Sequence, residues 1–443
     1  MVRGTCGTLS RHYHPMSHRP LPPPASASGG FLKSLGPGLV TGASDDDPSG
    51  IATYSQAGAQ FGYRMLWTMV LIYPFMVAIQ EISALIGRVT GRGIAGNMRR
   101  YYSKWVAYPV VLLLLVANTI NLAADINAMG AAVQLVVGGP AQVYGALLAL
   151  VSVVLEIRVS YLRYSNILKW LTLSLFAYVA TVFAVHIDWG AVLQGCLIPR
   201  FTSDAKFLVM LIALLGTTIS PYLFFWQSSA EAEEVQNNDG QEALRHAPQQ
   251  ARAQIRRIRS DTYVGMAASN IISLFIMVTV AATLHAQGVT EIDTAAQAAE
   301  ALRPLAGRLA FLLFTLGIVG TGMLALPVLA GSAAYAVGET LSWPIGLERK
   351  ARAAKGFYSV IAVATLVAVA MNFTHLDPIK ALFWTAVVNG VIAVPLMVVM
   401  MFMTSNRNVM GQFTLSRSLS VVGWLATAIM LAASLGLFFS WGS

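Results

Sequence analysis

Charged residues are scarce in this chain. Asp, Glu, Lys and Arg make up 11% of its 443 residues, whereas soluble domains carry roughly 25%. Apolar residues account for 56%, and the mean hydropathy is +0.63. Because about 20 consecutive apolar residues span a bilayer as a helix, this composition excludes a soluble globular protein and predicts an all-α integral membrane protein.

Cysteines and catalytic motifs are also scarce. The two cysteines, Cys6 and Cys196, are too few for a disulfide framework. No His-Glu-x-x-His or Gly-x-Ser-x-Gly motif occurs in an apolar run, so an intramembrane hydrolase is not supported. We therefore expect a protein that is not an enzyme and has no resident cofactor.

The chain divides into a tail and one membrane domain. Residues 1–34, rich in Pro, Ser, Arg and His, are predicted to form a disordered cytoplasmic tail. Residues 35–443 are predicted to form a single transmembrane domain of 11 helices. The apolar runs lie near residues 35–60, 64–87, 106–130, 142–158, 165–186, 207–230, 261–285, 308–336, 357–374, 380–404 and 419–440.

Positive charge is unequally distributed between the two sides of this topology. All but six of the 29 Lys and Arg residues fall on the side of the N-terminal tail; the exceptions are Arg64, Arg200, Lys206, Arg303, Arg308 and Lys380. The positive-inside rule places the N-terminus in the cytoplasm and the C-terminus outside a plasma or inner membrane. Since these charges serve orientation and lipid contact, nucleic acid is not an expected partner. The basic segment 241–259 is predicted to lie as a helix on anionic headgroups.

The helix order indicates an internal repeat. Predicted helices one to five, about 35–190, overlay on helices six to ten, about 205–404, and an extra helix lies near 419–440. Because five is odd, the two halves lie in opposite senses across the membrane. An inverted repeat of five plus five helices is typical of LeuT-like secondary transporters.

The first helix of each half is interrupted. The breaks are Asp45-Asp46-Asp47-Pro48-Ser49-Gly50 and Ser220-Pro221-Tyr222. Proline removes a backbone donor, which frees carbonyl oxygens at membrane depth as cation ligands. One such proline is usually only a kink, but paired breaks with aspartates at one of them indicate a transport site. No Met, Cys or His lies in either break, and oxygen donors favour hard ions such as Mg²⁺, Mn²⁺ or Ca²⁺.

The first break and its flanks resemble a known family. Gly36-Pro37-Gly38-Leu39-Val40-Thr41-Gly42-Ala43, Asp47-Pro48-Ser49-Gly50 and Gln56-Ala57-Gly58-Ala59-Gln60-Phe61-Gly62-Tyr63 look like the first helix of the Nramp proton-coupled divalent metal transporters. The resemblance extends from residue 35 to about 440. It implies that the metal site includes Asp47, the Ser44 carbonyl and the positions Gly50, Thr217, Ser220 and Tyr222.

The chain departs from the family pattern at several of these positions. In the first break, Gly50 stands where the family motif has Asn. In the second break, Ser220-Pro221-Tyr222 replaces the family's Met-Pro-His, so the Met thioether that favours transition metals is absent. This resembles the Met-lacking branch that includes Nramp-related magnesium transporters. Asp125 matches a family aspartate on the proton route, but the acidic partner that the family carries three residues later is replaced by Ala128 here. The second family histidine is likewise replaced by Gln227. Proton coupling therefore stays open.

These residues predict a transporter that imports Mn²⁺ or Mg²⁺, with Fe²⁺ as a further candidate, by alternating access. Accessory polar or proton-carrying candidates are Asp45, Asp46, Asp125, Gln80, Glu81, Gln227 and Asn389. These side chains could equally be hydrogen-bonding contacts between helices. The alternative is an amino-acid or amine transporter of the same architecture, although three aspartates would repel a substrate carboxylate. The sequence gives no oligomeric state.

Overall fold

The structure is a computed structural model that describes residues 37–159, 173–202, 204–238, 240–373 and 377–441. The predicted tail, 1–34, lies outside these residues. The described part is helical throughout, and no strand occurs in it. Its first ten α-helices are α1 (Pro37–Asp45), α2 (Pro48–Phe61), α3 (Trp67–Thr90), α4 (Ile94–Tyr101), α5 (Lys104–Val137), α6 (Ala141–Arg158), α7 (Phe176–Ala184), α8 (Trp189–Leu197), α9 (Ala205–Thr218) and α10 (Pro221–Asn237).

The second half of the chain continues with longer helices. They are α11 (Ala251–Thr283), the short α12 (Ala295–Glu300) and α13 (Arg303–Ala306), α14 (Ala310–Leu341), α15 (Lys355–Asn372), α16 (Pro378–Ser405), α17 (Arg407–Met410) and α18 (Arg417–Trp441). Single 3₁₀ turns occur at Gly62–Met65, Leu173–Leu175, Pro248–Gln250, His285–Gln287 and Gly307–Leu309.

Within the described residues, nine helical stretches are long and apolar enough to cross a membrane. Nine of the predicted apolar runs coincide with them. The first predicted helix is the interrupted pair α1 and α2, and the fifth, near 165–186, falls partly on 160–172, outside the described residues. The boundaries of the two repeats stay predictions.

Both predicted breaks separate pairs of helices. Residues 46 and 47 lie between α1 and α2, and residues 219 and 220 lie between α9 and α10. Pro48 and Pro221 each begin the following helix, where a missing amide hydrogen costs nothing because that amide has no partner within the helix. Asp47 caps α2 by accepting a hydrogen bond from the Gly50 amide at 2.7 Å.

Glycines let α1 pack directly on α11. A Cβ at Gly42 would lie 2.4 Å from the Gly265 carbonyl oxygen, and a Cβ at Gly38 would lie 2.9 Å from the Thr262 amide nitrogen. Both distances are too short for any side chain, so only glycine permits this approach. The half-helix α1 is thereby held against the bundle on the side that the charge distribution predicts to be cytoplasmic.

The basic segment 241–259 differs from its prediction as a surface helix. Residues 248–250 form a 3₁₀ turn, and residues 251–259 are the first turns of α11. The Arg257 guanidinium contacts the carboxylates of Glu231 at 2.6 Å and Glu234 at 3.1 Å, and Arg259 contacts Glu81 at 2.7 Å. These arginines therefore join α11 to α10 and α3, whereas Arg252 and Arg256 are exposed.

Cys196 tests the predicted orientation. It is half-buried on α8, outside the membrane-spanning stretches, and burial raises the pKa of its thiol. We expect a membrane-impermeant maleimide to label it in intact cells, faster as pH rises because only the thiolate reacts. The variant Cys196→Ser should lose this label and Cys6→Ser should keep it. Labelling of Cys196 only after the membrane is opened would reverse the orientation.

Candidate metal site

Asp47 lies where the two helix breaks meet. Its carboxylate is 1% exposed. Oδ1 accepts the Gly50 amide hydrogen, while Oδ2 lies 3.0 Å from the Tyr222 hydroxyl of α10 and 3.4 Å from Asn121 Nδ2 of α5. Three separate segments of the chain thus converge on one buried carboxylate.

The Tyr222 hydroxyl lies between two oxygen acceptors, one of them on Asp47. The Tyr222 hydroxyl lies 3.1 Å from the Ser44 carbonyl oxygen as well as 3.0 Å from Asp47 Oδ2. A phenol has one hydrogen, so it can donate to only one of these acceptors at a time. When the hydroxyl donates to Asp47, the Ser44 carbonyl faces an oxygen lone pair; when it donates to Ser44, Asp47 Oδ2 keeps only the longer contact with Asn121 at 3.4 Å. A bound cation would satisfy both acceptors together.

The second break contributes Thr217 and Ser220. The Ser220 hydroxyl donates to its own helix, to the carbonyls of Gly216 at 2.7 Å and Thr217 at 2.9 Å. The Thr217 hydroxyl is buried and has no hydrogen-bond partner in the described structure. It faces Gly50, where a Cβ would lie 3.3 Å from it and 3.2 Å from the Asp45 carbonyl oxygen. A side chain at position 50 would therefore crowd polar atoms of both breaks, and Gly50 lets the two breaks approach each other closely.

Asp45 and Asp46 face away from Asp47, towards α11. Ser269 Oγ donates to Asp45 Oδ2 at 2.5 Å and lies 3.1 Å from Asp46 Oδ1, which Ser273 Oγ also approaches at 3.3 Å. Asp45 Oδ1 has no partner in the described structure, and both carboxyl groups are buried. The three consecutive aspartates therefore belong to two separate polar clusters.

Asp125 is buried one helical turn from Asn121 on α5. Neither of its carboxyl oxygens has a hydrogen-bond partner among the described residues, and the side chain is fully buried. An ionised carboxylate in such surroundings is very costly unless a cation or water compensates it. The environment of Asp125 is thus one in which a proton or a cation can be held.

The remaining predicted residues are buried at other positions. Gln227 of α10 accepts a hydrogen bond from the Thr41 hydroxyl of α1. Glu81 is paired with Arg259. In the described structure, the amide oxygen and nitrogen of Gln80 have no hydrogen-bond partner, and neither does the amide nitrogen of Asn389. None of these four side chains has a described contact with Asp47.

Three residues that contact the aspartates, Asn121, Ser269 and Ser273, were not predicted from the sequence. Asn121 was recognisable as a polar residue in an apolar run, four residues before Asp125, but it was not chosen as a partner of Asp47. Ser269 and Ser273 gave no signal, because serines are common in membrane helices. In the described residues, no group of three or more His, Cys, Asp or Glu side chains could hold a metal ion. The arrangement at Asp47 is one carboxylate with carbonyl, hydroxyl and amide groups.

Comparison with known proteins identifies similar chains. The model of the family described as "Natural resistance-associated macrophage protein-like" matches residues 38–440. The divalent metal cation transporter MntH of Klebsiella pneumoniae (strain 342) is 28% identical over 412 residues, covering 90% of this chain and 92% of that protein. MntH of Verminephrobacter eiseniae is 28% identical over 418 residues, covering 91% and 88%.

Solved structures share the fold. The manganese transporter of Eremococcus coleocola superposes with a TM-score of 0.72 at 18% identity, covering 95% of this chain and 88% of that one. Mhp1, a nucleobase-cation-symport-1 family transporter, in a closed conformation gives 0.54 at 14% identity, with 92% of each chain covered. These neighbours confirm the predicted all-α, LeuT-like membrane architecture with its interrupted helices.

Proposed function

The chain belongs to the Nramp family, a family of divalent metal transporters, and from this premise we propose that it imports Mn²⁺ or Mg²⁺ across a plasma or inner membrane. The observation that carries the proposal is the group of three oxygens from Ser44, Asp47 and Tyr222, which share a single hydroxyl hydrogen. A divalent cation between them would take the place of the hydrogen that the Tyr222 hydroxyl cannot give to both acceptors at once.

We propose the following ligands. The Asp47 carboxylate supplies the charge, and the Ser44 carbonyl supplies a neutral oxygen from the first break. The Thr217 carbonyl, which accepts the Ser220 hydroxyl at 2.9 Å, is the proposed ligand from the second break because the family resemblance implies this position. The Tyr222 hydroxyl lies between the first two ligands and either joins the ion or moves aside for it. Oxygen ligands of this kind suit Mg²⁺ as well as Mn²⁺.

Selectivity follows from the absence of sulfur in the breaks. With oxygen donors only, Mn²⁺ and Mg²⁺ should be carried, and Cd²⁺ should lose the advantage that a thioether gives it. We expect Ser220→Met to raise competition by Cd²⁺ and to weaken Mg²⁺ transport, changing their ratio about tenfold, or about 1.4 kcal/mol. The measurement is uptake of Mn²⁺ into proteoliposomes under competition by each ion.

Ser220→Ala is the matched control. It removes the hydroxyl that occupies the Gly216 and Thr217 carbonyls without adding sulfur, so its ratio of Mg²⁺ to Cd²⁺ competition should stay near that of the wild type. An unchanged ratio in Ser220→Met, or a wild-type protein that prefers Cd²⁺ strongly over Mn²⁺, would mean that Ser220 does not face the ion.

Transport by alternating access would use the half-helix α1. In the described structure α1 packs closely on α11 at Gly42, and the Thr41 hydroxyl of α1 donates a hydrogen bond to Gln227 of α10. On the opposite side, two cavities of about 410 and 340 Å³ share Lys380 and Trp384 as lining residues. The larger cavity is also lined by Gln56 and Gln60 of α2. The smaller cavity is also lined by residues of α5 that precede and follow Asp125 in the sequence. We propose that ions enter through these cavities and leave when α1 separates from α11.

Proton coupling, if it operates, would use Asp125. Its unpartnered carboxyl group lies on the same helix as Asn121, which contacts Asp47. We expect Asp125→Asn, which cannot bind a proton, to retain metal binding but to lose metal-driven acidification of proteoliposomes. The measurement is internal pH recorded in parallel with Mn²⁺ uptake. Equal acidification by Asp125→Asn and wild type would remove Asp125 from the proton route.

A further inference from the structure

A cavity of about 610 Å³ lies apart from the metal site, on the face that the charge distribution predicts to be cytoplasmic. The amphipathic helix α4 and the loop after α14 form its walls. Four arginines line it, namely Arg92, Arg99, Arg100 and Arg349, together with Trp343. A smaller cavity of about 130 Å³ shares Arg92 and Arg100 and adds Arg245.

The four arginines outnumber the carboxylates in the cavity wall. None of them forms an ion pair with any described residue. The one carboxylate in the cavity wall, Glu339, is committed to the start of α4: it accepts the Gly93 amide hydrogen at 2.9 Å and the Gly96 amide hydrogen at 2.7 Å. Four positive charges therefore face one negative charge whose oxygens are already hydrogen-bonded.

The local field is positive at the neighbouring Tyr101 as well. Burial alone would raise the pKa of this phenol. The hydrogen bond from Arg245 and the charges of Arg245, Arg100 and Arg92 outweigh burial and lower the pKa. Like charges gathered around one cavity repel each other, and a bound anion relieves that repulsion.

We propose that this arginine cavity binds a phosphate-bearing anion, either the headgroup of an anionic phospholipid or a soluble phosphate compound. Guanidinium groups match phosphate oxygens through paired hydrogen bonds, and the volume suits a small molecule or a headgroup. Trp343 is 40% exposed and Trp105, at the start of α5, is 89% exposed. Exposed tryptophans are typical of the headgroup level of a membrane, so the cavity lies within reach of lipid.

The test uses purified full-length protein in a neutral detergent. Binding is followed by thermal unfolding in titrations with phosphatidylglycerol in mixed micelles, with zwitterionic phosphatidylcholine, which has no net charge, as the counterpart, and separately with inorganic pyrophosphate. Arg99→Gln/Arg100→Gln removes two cavity charges. Arg252→Gln/Arg256→Gln removes two exposed charges from α11 that line neither cavity, and it is the matched control.

We expect saturable stabilisation of the wild type that weakens as salt is raised. The cavity variant should need at least tenfold more anion for half-saturation, and the control variant should stay within twofold of the wild type. A response to phosphatidylglycerol alone identifies a lipid headgroup, and a response to pyrophosphate identifies a soluble ligand. Absence of saturation with both anions, an equal response to phosphatidylcholine, or an equal loss in both variants overturns the proposal. Arg349→Gln provides a second cavity variant should the first fail to purify as a folded protein.

Discussion

Asp47→Ala is expected to abolish divalent-ion uptake, by at least about a hundredfold. Among the residues that the structure describes, Asp47 is the only carboxylate that contacts both the Tyr222 hydroxyl and Asn121 at the meeting point of the two breaks. A divalent ion leaving water at membrane depth needs at least one negative ligand to offset the cost of dehydration, which neutral oxygens alone do not offset. The measurement is initial uptake of Mn²⁺ into proteoliposomes that contain equal amounts of inserted protein.

Two further variants separate the loss of charge from the loss of a helix cap. Asp47→Asn keeps an oxygen that can accept the Gly50 amide hydrogen but has no charge, so only weak residual uptake is expected. Asp188 caps α8 by accepting the Ala191 amide hydrogen at 3.1 Å and is exposed, so Asp188→Ala removes a cap of the same kind away from the site. This control should transport normally. Normal uptake by Asp47→Asn would show that the charge at this position is not needed.

Arg257→Gln is expected to lower stability strongly. The guanidinium of Arg257 contacts Glu231, Glu234 and Asp261, and the Glu231 carboxylate is fully buried. Removing a partner from a buried ion pair leaves an uncompensated charge and typically costs about 3–5 kcal/mol. Thermal unfolding of the purified protein should therefore shift down by roughly 5 °C or more, and the contact between α10 and α11 should weaken.

Two further variants serve as a charge-matched control and as a rescue. Arg256→Gln removes the same charge from the exposed neighbouring position and should unfold near the wild-type temperature. The double variant Glu231→Gln/Arg257→Gln removes the buried carboxylate together with its partner and should recover a large part of the loss. Equal effects of Arg256→Gln and Arg257→Gln would mean that the buried ion pair does not hold these helices.

Features set by local chemistry could be predicted from the sequence. Pro48 and Pro221 begin α2 and α10 as expected, because proline acts on the backbone of its own residue and the preceding turn. Apolar length alone located the long helices, since lipid imposes a minimum span. The meeting of Asp47 with Tyr222 was implied by the family resemblance, not by spacing, because 175 residues separate the two along the chain.

Contacts that depend on which face of a helix packs against which neighbour could not be predicted from the sequence. Asp45 and Asp46 were predicted as accessory or proton-carrying residues, but the sequence named no partner for them. They bond to Ser269 and Ser273 because α11 packs on that face of α1. Arg257 and Arg259 looked like headgroup contacts because the segment around them is basic. Their acidic partners lie on α10 and α3, and charge counts along one segment do not show which neighbouring helix its side chains reach.

Uptake by the reconstituted wild-type protein is the most direct test of which class of substrate this transporter carries. Proteoliposomes should accumulate Mn²⁺ saturably, Mg²⁺ in excess should compete, and internal pH recorded in the same vesicles shows whether protons move with the ion. A panel of amino acids and amines, the substrates of the alternative transporter class, should neither accumulate nor compete. Accumulation of an amino acid or amine, with no uptake of Mn²⁺ or Mg²⁺, would contradict the account.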